Sequence, residues 1–208
     1  LDMCQFRQAF GLNPATVARY AAVRCRVVPQ LRYSQYNENS IDLVLFVNGI
    51  PLATLELKTG FTQDVHAAMR QYKRDRLPKD SIARAAEPLL EHNRRALVHF
   101  AVSSEEVYMT TRLAGQETRF LPFNMGNGEA AGNPVNPGGC RTAYLWENVL
   151  QRDNWLDILG RFLHVSTPEP TEEEPRPRPR IIFPRFHQWD AVRTLINAAK
   201  QEGAGRKY

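Results

Sequence analysis

From Ser40 to Lys58 the chain reads SIDLVLFVNGIPLATLELK, two aliphatic runs on either side of Asn48-Gly49. Asn-Gly between β-rich runs predicts a hairpin. Upstream, Asn13 and Pro14 predict the cap and first turn of a helix over residues 14–22, and a further helix is expected over 2–10. RCRVVPQLRY predicts a strand edged by Pro29. In TQDVHAAMRQYKRDR, Val65, Ala68, Met69 and Tyr72 recur at helical spacing, with Phe61 just ahead of them, so an amphipathic helix is expected. ALVHFAVSS and EVYMTTRL predict two more strands. Residues 124–139, rich in Gly, Asn and Pro, form a connecting loop. TAYLWENVLQRDNWLDILGRFLHV predicts one or two helices, with Leu145, Val149, Leu150, Ile158, Leu159 and Phe162 facing the core.

Register decides where the hairpin's charges go. A strict two-residue loop pairs Val47 with Ile50 and sets Asp42 and Glu56 on opposite faces. A three-residue loop with Gly49 left-handed pairs Phe46 with Ile50, and Asp42, Glu56 and Lys58 then share a face. That choice gathers Leu43, Leu45, Val47, Ala53, Leu55 and Leu57 on one apolar face and leaves Val44, Phe46 and Leu52 on the other. The pattern favours an odd-length loop or a bulge, with Gly49 setting the register.

Composition adds limits. The 208 residues are 43% hydrophobic and 24% charged, ordinary for a globular protein. No apolar run reaches the roughly 18 residues of a membrane span, and the N-terminus has no signal-peptide pattern. Cys4, Cys25 and Cys140 are scattered, which predicts free thiols in a reducing cytoplasm rather than a zinc site. His66, His92, His99 and His187 show no metal-ligand spacing. The net charge of +5 suits a polyanionic partner without requiring one. Residues 166–180, STPEPTEEEPRPRPR, have a linker's composition. They separate an expected domain over 1–165 from an amphipathic helix within 181–208. With no Met at position 1 and so short a final segment, the chain reads as a piece of a longer protein.

Two carboxylates and an ammonium at one end of paired strands have a specific use. Carboxylates held together repel unless a cation lies between them, and hard oxygen ligands suit Mg²⁺. Such an ion can acidify water and stabilise charge on a phosphate, while Lys58 positions the water or offsets charge. The bland alternative is a solvated strand edge, where Glu-x-Lys is common. Arg70, Lys73, Arg74 and Arg76 on the following helix could track a phosphate backbone. Tyr33 and Tyr36 could stack on bases.

The same residues carry a resemblance. IDLVLFVNGIPLATLELK resembles the nuclease core of type I restriction endonuclease R (motor) subunits, PD-(D/E)xK nucleases close to the RecB-like branch. VHFAVSSEEVYMTT, FLPFNMGN, GNPVN, YLWENVL and IIFPRFHQWDAVRTL resemble further segments of that family in the same order. The resemblance implies an α/β fold with a mixed central sheet flanked by helices. It implies Mg²⁺ bound by Asp42, Glu56 and the backbone carbonyl of Leu57, with Lys58 as the catalytic lysine. A Gln-x-x-x-Tyr motif supports the site in that family. Here Tyr72 matches, Ala68 replaces the Gln, and Gln71 lies about 100° round the helix from Tyr72. Tyr72, Gln71, Arg70, Lys73 and Arg74 are the candidate supporting and DNA-binding residues.

The implied activity is that of a type I site-specific deoxyribonuclease cutting double-stranded DNA, coupled to ATP-driven translocation in the intact protein. Methyltransferase and specificity subunits would be its partners. Residues 181–208 resemble the approach to a helicase-type ATPase domain, in which Gln188 would read adenine. No Gly-x-x-x-x-Gly-Lys-Ser/Thr is present, so the chain by itself is not expected to hydrolyse ATP. The rival expectation is a non-catalytic DNA-binding or assembly module that kept the fold.

Overall fold

A computed structural model of the chain describes residues 4–8, 11–59, 64–169 and 179–203. Its first helix, α1 (Pro14–Ala22), is capped as expected: the Asn13 side chain accepts from the Ala15 and Thr16 amides. The helix expected over 2–10 is absent from its described part, residues 4–8; residues 2–3 and 9–10 lie outside the described ones. Tertiary packing outweighs local propensity there. The Phe6 ring lies where a Cβ on Gly160 would have to be, and Cys4 and Phe6 pack against the main core.

The centre is a six-stranded sheet in the order β1 (Cys25–Arg32), β2 (Ser40–Val47), β3 (Ile50–Leu57), β4 (Val98–Val102), β5 (Val107–Thr110) and β6 (Leu121–Pro122). Neighbours are antiparallel except β3 and β4, which run parallel. A parallel pair needs a crossover, and α2 (Val65–Arg74) lies within it. Residues 124–139 contain no strand or helix. Asn133 holds them by donating to the Glu105 carbonyl and the Asn124 side chain while accepting from the Met125 amide.

Two cores sandwich the sheet. On one side Leu45, Val47, Leu55, Phe100, Val102 and Met109 meet the C-terminal part of the chain. That part contains π-helical turns at Leu145–Val149 and Ile158–Phe162 around α3 (Arg152–Asp157). The antiparallel pair β7 (His164–Ser166) and β8 (Arg180–Ile182) follows, then α4 (Phe186–Glu202). Phe183, Phe186 and Trp189 belong to this core, and Phe183 stacks edge-on against Phe100. On the other side Ile41, Val44 and Ala101 meet Val65, Ala68 and Tyr72 of α2. Phe61 lies outside the described residues. Among the described residues no helix is long and apolar enough to cross a membrane.

Candidate active site

The hairpin turn has two residues, not three. Asn48 and Gly49 both adopt positive φ, 50° and 84°, and Val47 pairs with Ile50. Asn and Gly tolerate that conformation, which allows the tight turn. The expected Phe46–Ile50 pairing is therefore replaced by Phe46–Pro51, and the next pair is Leu45–Ala53. Leu52 is left over, so the odd residue is a bulge inside β3. It sits beside Pro51, which has no amide hydrogen for the ladder and suits an irregular position. Leu52 turns into the main core rather than joining Val44 and Phe46. The bulge, not Gly49, sets the register, and it delivers the expected convergence. Val44 pairs with Thr54 and Leu43 with Leu55, which puts Asp42 and Glu56 on one face. Their carboxyl groups are close enough to interact directly.

Each carboxylate oxygen can be accounted for. Asp42 Oδ2 accepts from the Leu57 amide at 2.8 Å, and Oδ1 accepts from Gln30 Nε2 at 3.0 Å. Gln30 Oε1 in turn accepts from the Ser40 hydroxyl. Glu56 is fully buried; its Oε1 accepts from Arg76 Nε at 2.7 Å. Glu56 Oε2 is buried and has no partner. Burial pushes the Glu56 carboxyl up to about 7; Arg76 opposes the rise and Asp42 adds to it. Lys58 is half-buried, its amide donates to the Val102 carbonyl at 2.8 Å, and strand alternation puts its side chain on the Glu56 face. No ion pair engages its ammonium among the described residues.

Under the carboxylates runs a second polar line. The Thr54 hydroxyl bonds the Tyr72 hydroxyl at 2.8 Å and His99 Nδ1 at 2.7 Å. All three residues are buried. Burial pushes His99 down to about 3, so its ring is neutral, and raises the Tyr72 hydroxyl. Tyr72 thus reaches the site from α2, and Ala68, in the place of the expected Gln, is buried in the core beneath. Gln71 is half-buried. Arg70 and Arg74 are exposed and about 200° round the helix from Tyr72, so they point away from the carboxylates. Lys73 lies between these directions. Arg76 does not follow the solvent face with them; it is buried against Glu56. Tyr33 packs against the second core and Tyr36 is exposed.

Sequence reasoning missed Gln30, Thr54 and His99, and misread Arg76. The available signals were registers: Arg76 follows Tyr72 by four residues, and Thr54 shares Glu56's face two residues away. Among the described residues no group of three or more His, Cys, Asp or Glu could hold a metal. The available set is two carboxylates and one carbonyl. A strand residue's N–H and C=O point to the same side, so the Leu57 carbonyl faces Asp42 as its amide does. An oxygen-only set fits Mg²⁺, and the orphaned Glu56 Oε2 is the donor such an ion would satisfy. Beyond the carboxyl ends of β3 and β4, a cleft of about 510 Å³ opens beside Lys58, walled by Leu57, Val102, Ser103 and Trp146. Crevices at such strand ends are where open α/β sheets bind ligands.

Residues 19–118, which contain Gln30, Asp42, Thr54, Glu56, Lys58, Tyr72, Arg76 and His99, match the family model described as type I restriction enzyme R protein N terminus. No curated protein and no solved structure matches the chain.

Proposed function

Residues 19–118 belong to the family of type I restriction enzyme R protein N-terminal domains, and on that footing we propose that the chain is a Mg²⁺-dependent nuclease acting on double-stranded DNA. The observation that carries the chemistry is the bare, buried Glu56 Oε2 on the face of Asp42. Asp42, Glu56 and the Leu57 carbonyl would hold the ion. When bound, Mg²⁺ acidifies water and neutralises phosphate charge. The chain's own groups do the rest. The Leu57 amide and Gln30 hold Asp42 oriented. Arg76 offsets the burial of Glu56. Lys58, free of ion pairing among the described residues, meets the scissile phosphate and positions the attacking water or offsets the charge that develops.

In the intact R subunit this activity is coupled to ATP-driven translocation, with residues 181–208 leading into the motor domain after the 166–180 linker. Gln188 Oε1 accepts from the Arg185 amide at 2.9 Å, a bond it would exchange to read adenine. Methyltransferase and specificity subunits choose the sequence, the complex works in the cytoplasm, and exposed Arg70 and Arg74, with half-buried Lys73 between them, supply phosphate contacts. The test is cleavage of plasmid DNA by the assembled complex. Cutting should require Mg²⁺ and be lost in Asp42→Ala; cutting by that variant would leave the non-catalytic DNA-binding or assembly module as the better reading of this domain.

A further inference from the structure

We propose that this site takes a single divalent cation, because Arg76 and Gln30 occupy the places a second ion would need. The inference rests on the nuclease reading and adds a stoichiometry and two positioning residues to it. Two-metal phosphodiesterases hold their ions roughly 3.5–4 Å apart, so a second ion needs carboxylate oxygens of its own. Here one oxygen of each carboxylate is already taken. Arg76 Nε sits 2.7 Å from Glu56 Oε1, with the Arg76 side chain only 9% exposed. A guanidinium cannot lose its charge, so it fills the coordination space of Oε1 and repels a second cation.

Gln30 does the same to Asp42 Oδ1. A carboxylate only accepts, so the amide must present its NH₂ there, and the Ser40 hydroxyl fits the other end by donating to Gln30 Oε1. An NH₂ group offers a metal nothing. Gln30 faces Asp42 from a φ of 47° inside β1, a conformation that side chains other than glycine seldom adopt. That leaves Glu56 Oε2 without a partner and Asp42 Oδ2 with one donor on it. With the Leu57 carbonyl these oxygens suffice for one ion, and the protein's fixed donors replace the second.

The experiment is a Mn²⁺ titration of the full-length protein without nucleotide, read by electron paramagnetic resonance. The count at this site is the wild-type value minus that of Asp42→Ala. One Mn²⁺ per chain is expected; two would overturn the inference while leaving the nuclease reading intact. No Asp42-dependent ion would overturn the metal reading itself. In Arg76→Met combined with Gln30→Ala, circular dichroism first establishes folding, and a second Mn²⁺ per chain should then bind. A folded double variant that still takes one ion would show that the two residues exclude nothing. Arg76→Lys covers the case in which the double variant does not fold. Lys keeps the charge but not the fixed fork, so the count should remain one and loosen toward two at high Mn²⁺. A second ion as tight as the first would contradict the proposal.

Discussion

The two faces of the β2–β3 hairpin are built to opposite specifications. One face presents Leu45, Val47, Ala53 and Leu55 to an apolar core that includes Phe100, Leu145, Val149 and Trp189. The other buries Thr54, Glu56, His99, Tyr72 and Arg76 within a few strand positions of each other. The first face is what hydrophobic burial alone would produce. The second is not. A buried ion pair is weak evidence of stability, since a well-packed apolar replacement often does as well or better. The same strands therefore pack the main apolar core on one side and, on the other, hold charge in place beside a smaller apolar core. Loss of structure and loss of chemistry should be separable by face.

Phe100→Ala should show the largest loss of stability. Its ring is fully buried among Phe123 and Phe183, and removing it should cost about 3–5 kcal/mol in chemical denaturation. A loss below about 1 kcal/mol would mean that the apolar face is not the main support.

The polar face should instead reveal itself through pH, in metal-free buffer. Glu56 is raised from 4.5 to about 7, so the native state binds more protons than the unfolded chain in that window, and stability falls as pH rises through it. His99 is lowered from 6.5 to about 3, so the unfolded chain binds more protons there, and stability falls as pH drops through that window. The two slopes oppose each other between 4.5 and 6.5. Glu56→Gln should remove one of them, so the variant's stability relative to wild type should rise as pH increases from 4.5 to 7. A difference that stays flat with pH would mean Glu56 titrates normally.

Gly49→Ala should have the smallest effect, about 1–2 kcal/mol, from the left-handed backbone at φ 84°, since nothing lies within 4 Å of the added Cβ. Because the bulge at Leu52 sets the register, the folded variant should keep normal cleavage. Lost cleavage in a stable Gly49→Ala would return the register to the turn.

Much of this contrast was legible in the sequence. The Asn-Gly turn and period-two alternation gave the hairpin, and the demand for one apolar face required an odd residue somewhere. Its place was not legible. Asn48 and Gly49 together fit the tight turn as readily as the longer loop, and only the core pulling in Leu52 beside Pro51 resolves the choice. Arg76 looked like one more basic residue of a solvated helix, because its partner Glu56 is 20 positions away in sequence. Gln30 and His99 meet the site through strand pairings with β2 and β3 that no local pattern encodes. The N-terminal segment reads as helix until Phe6 is seen to need the space over Gly160.

The central claim is that the polar face performs phosphodiester hydrolysis, and Lys58 tests it most directly because it belongs to neither core. In the assembled complex, plasmid cleavage and ATP hydrolysis would be measured side by side for wild type and Lys58→Ala, with thermal unfolding as a control. The expected result is cleavage reduced by about two orders of magnitude or more, with ATP hydrolysis and unfolding temperature unchanged. Cleavage at the wild-type rate by the folded Lys58→Ala complex would contradict the account.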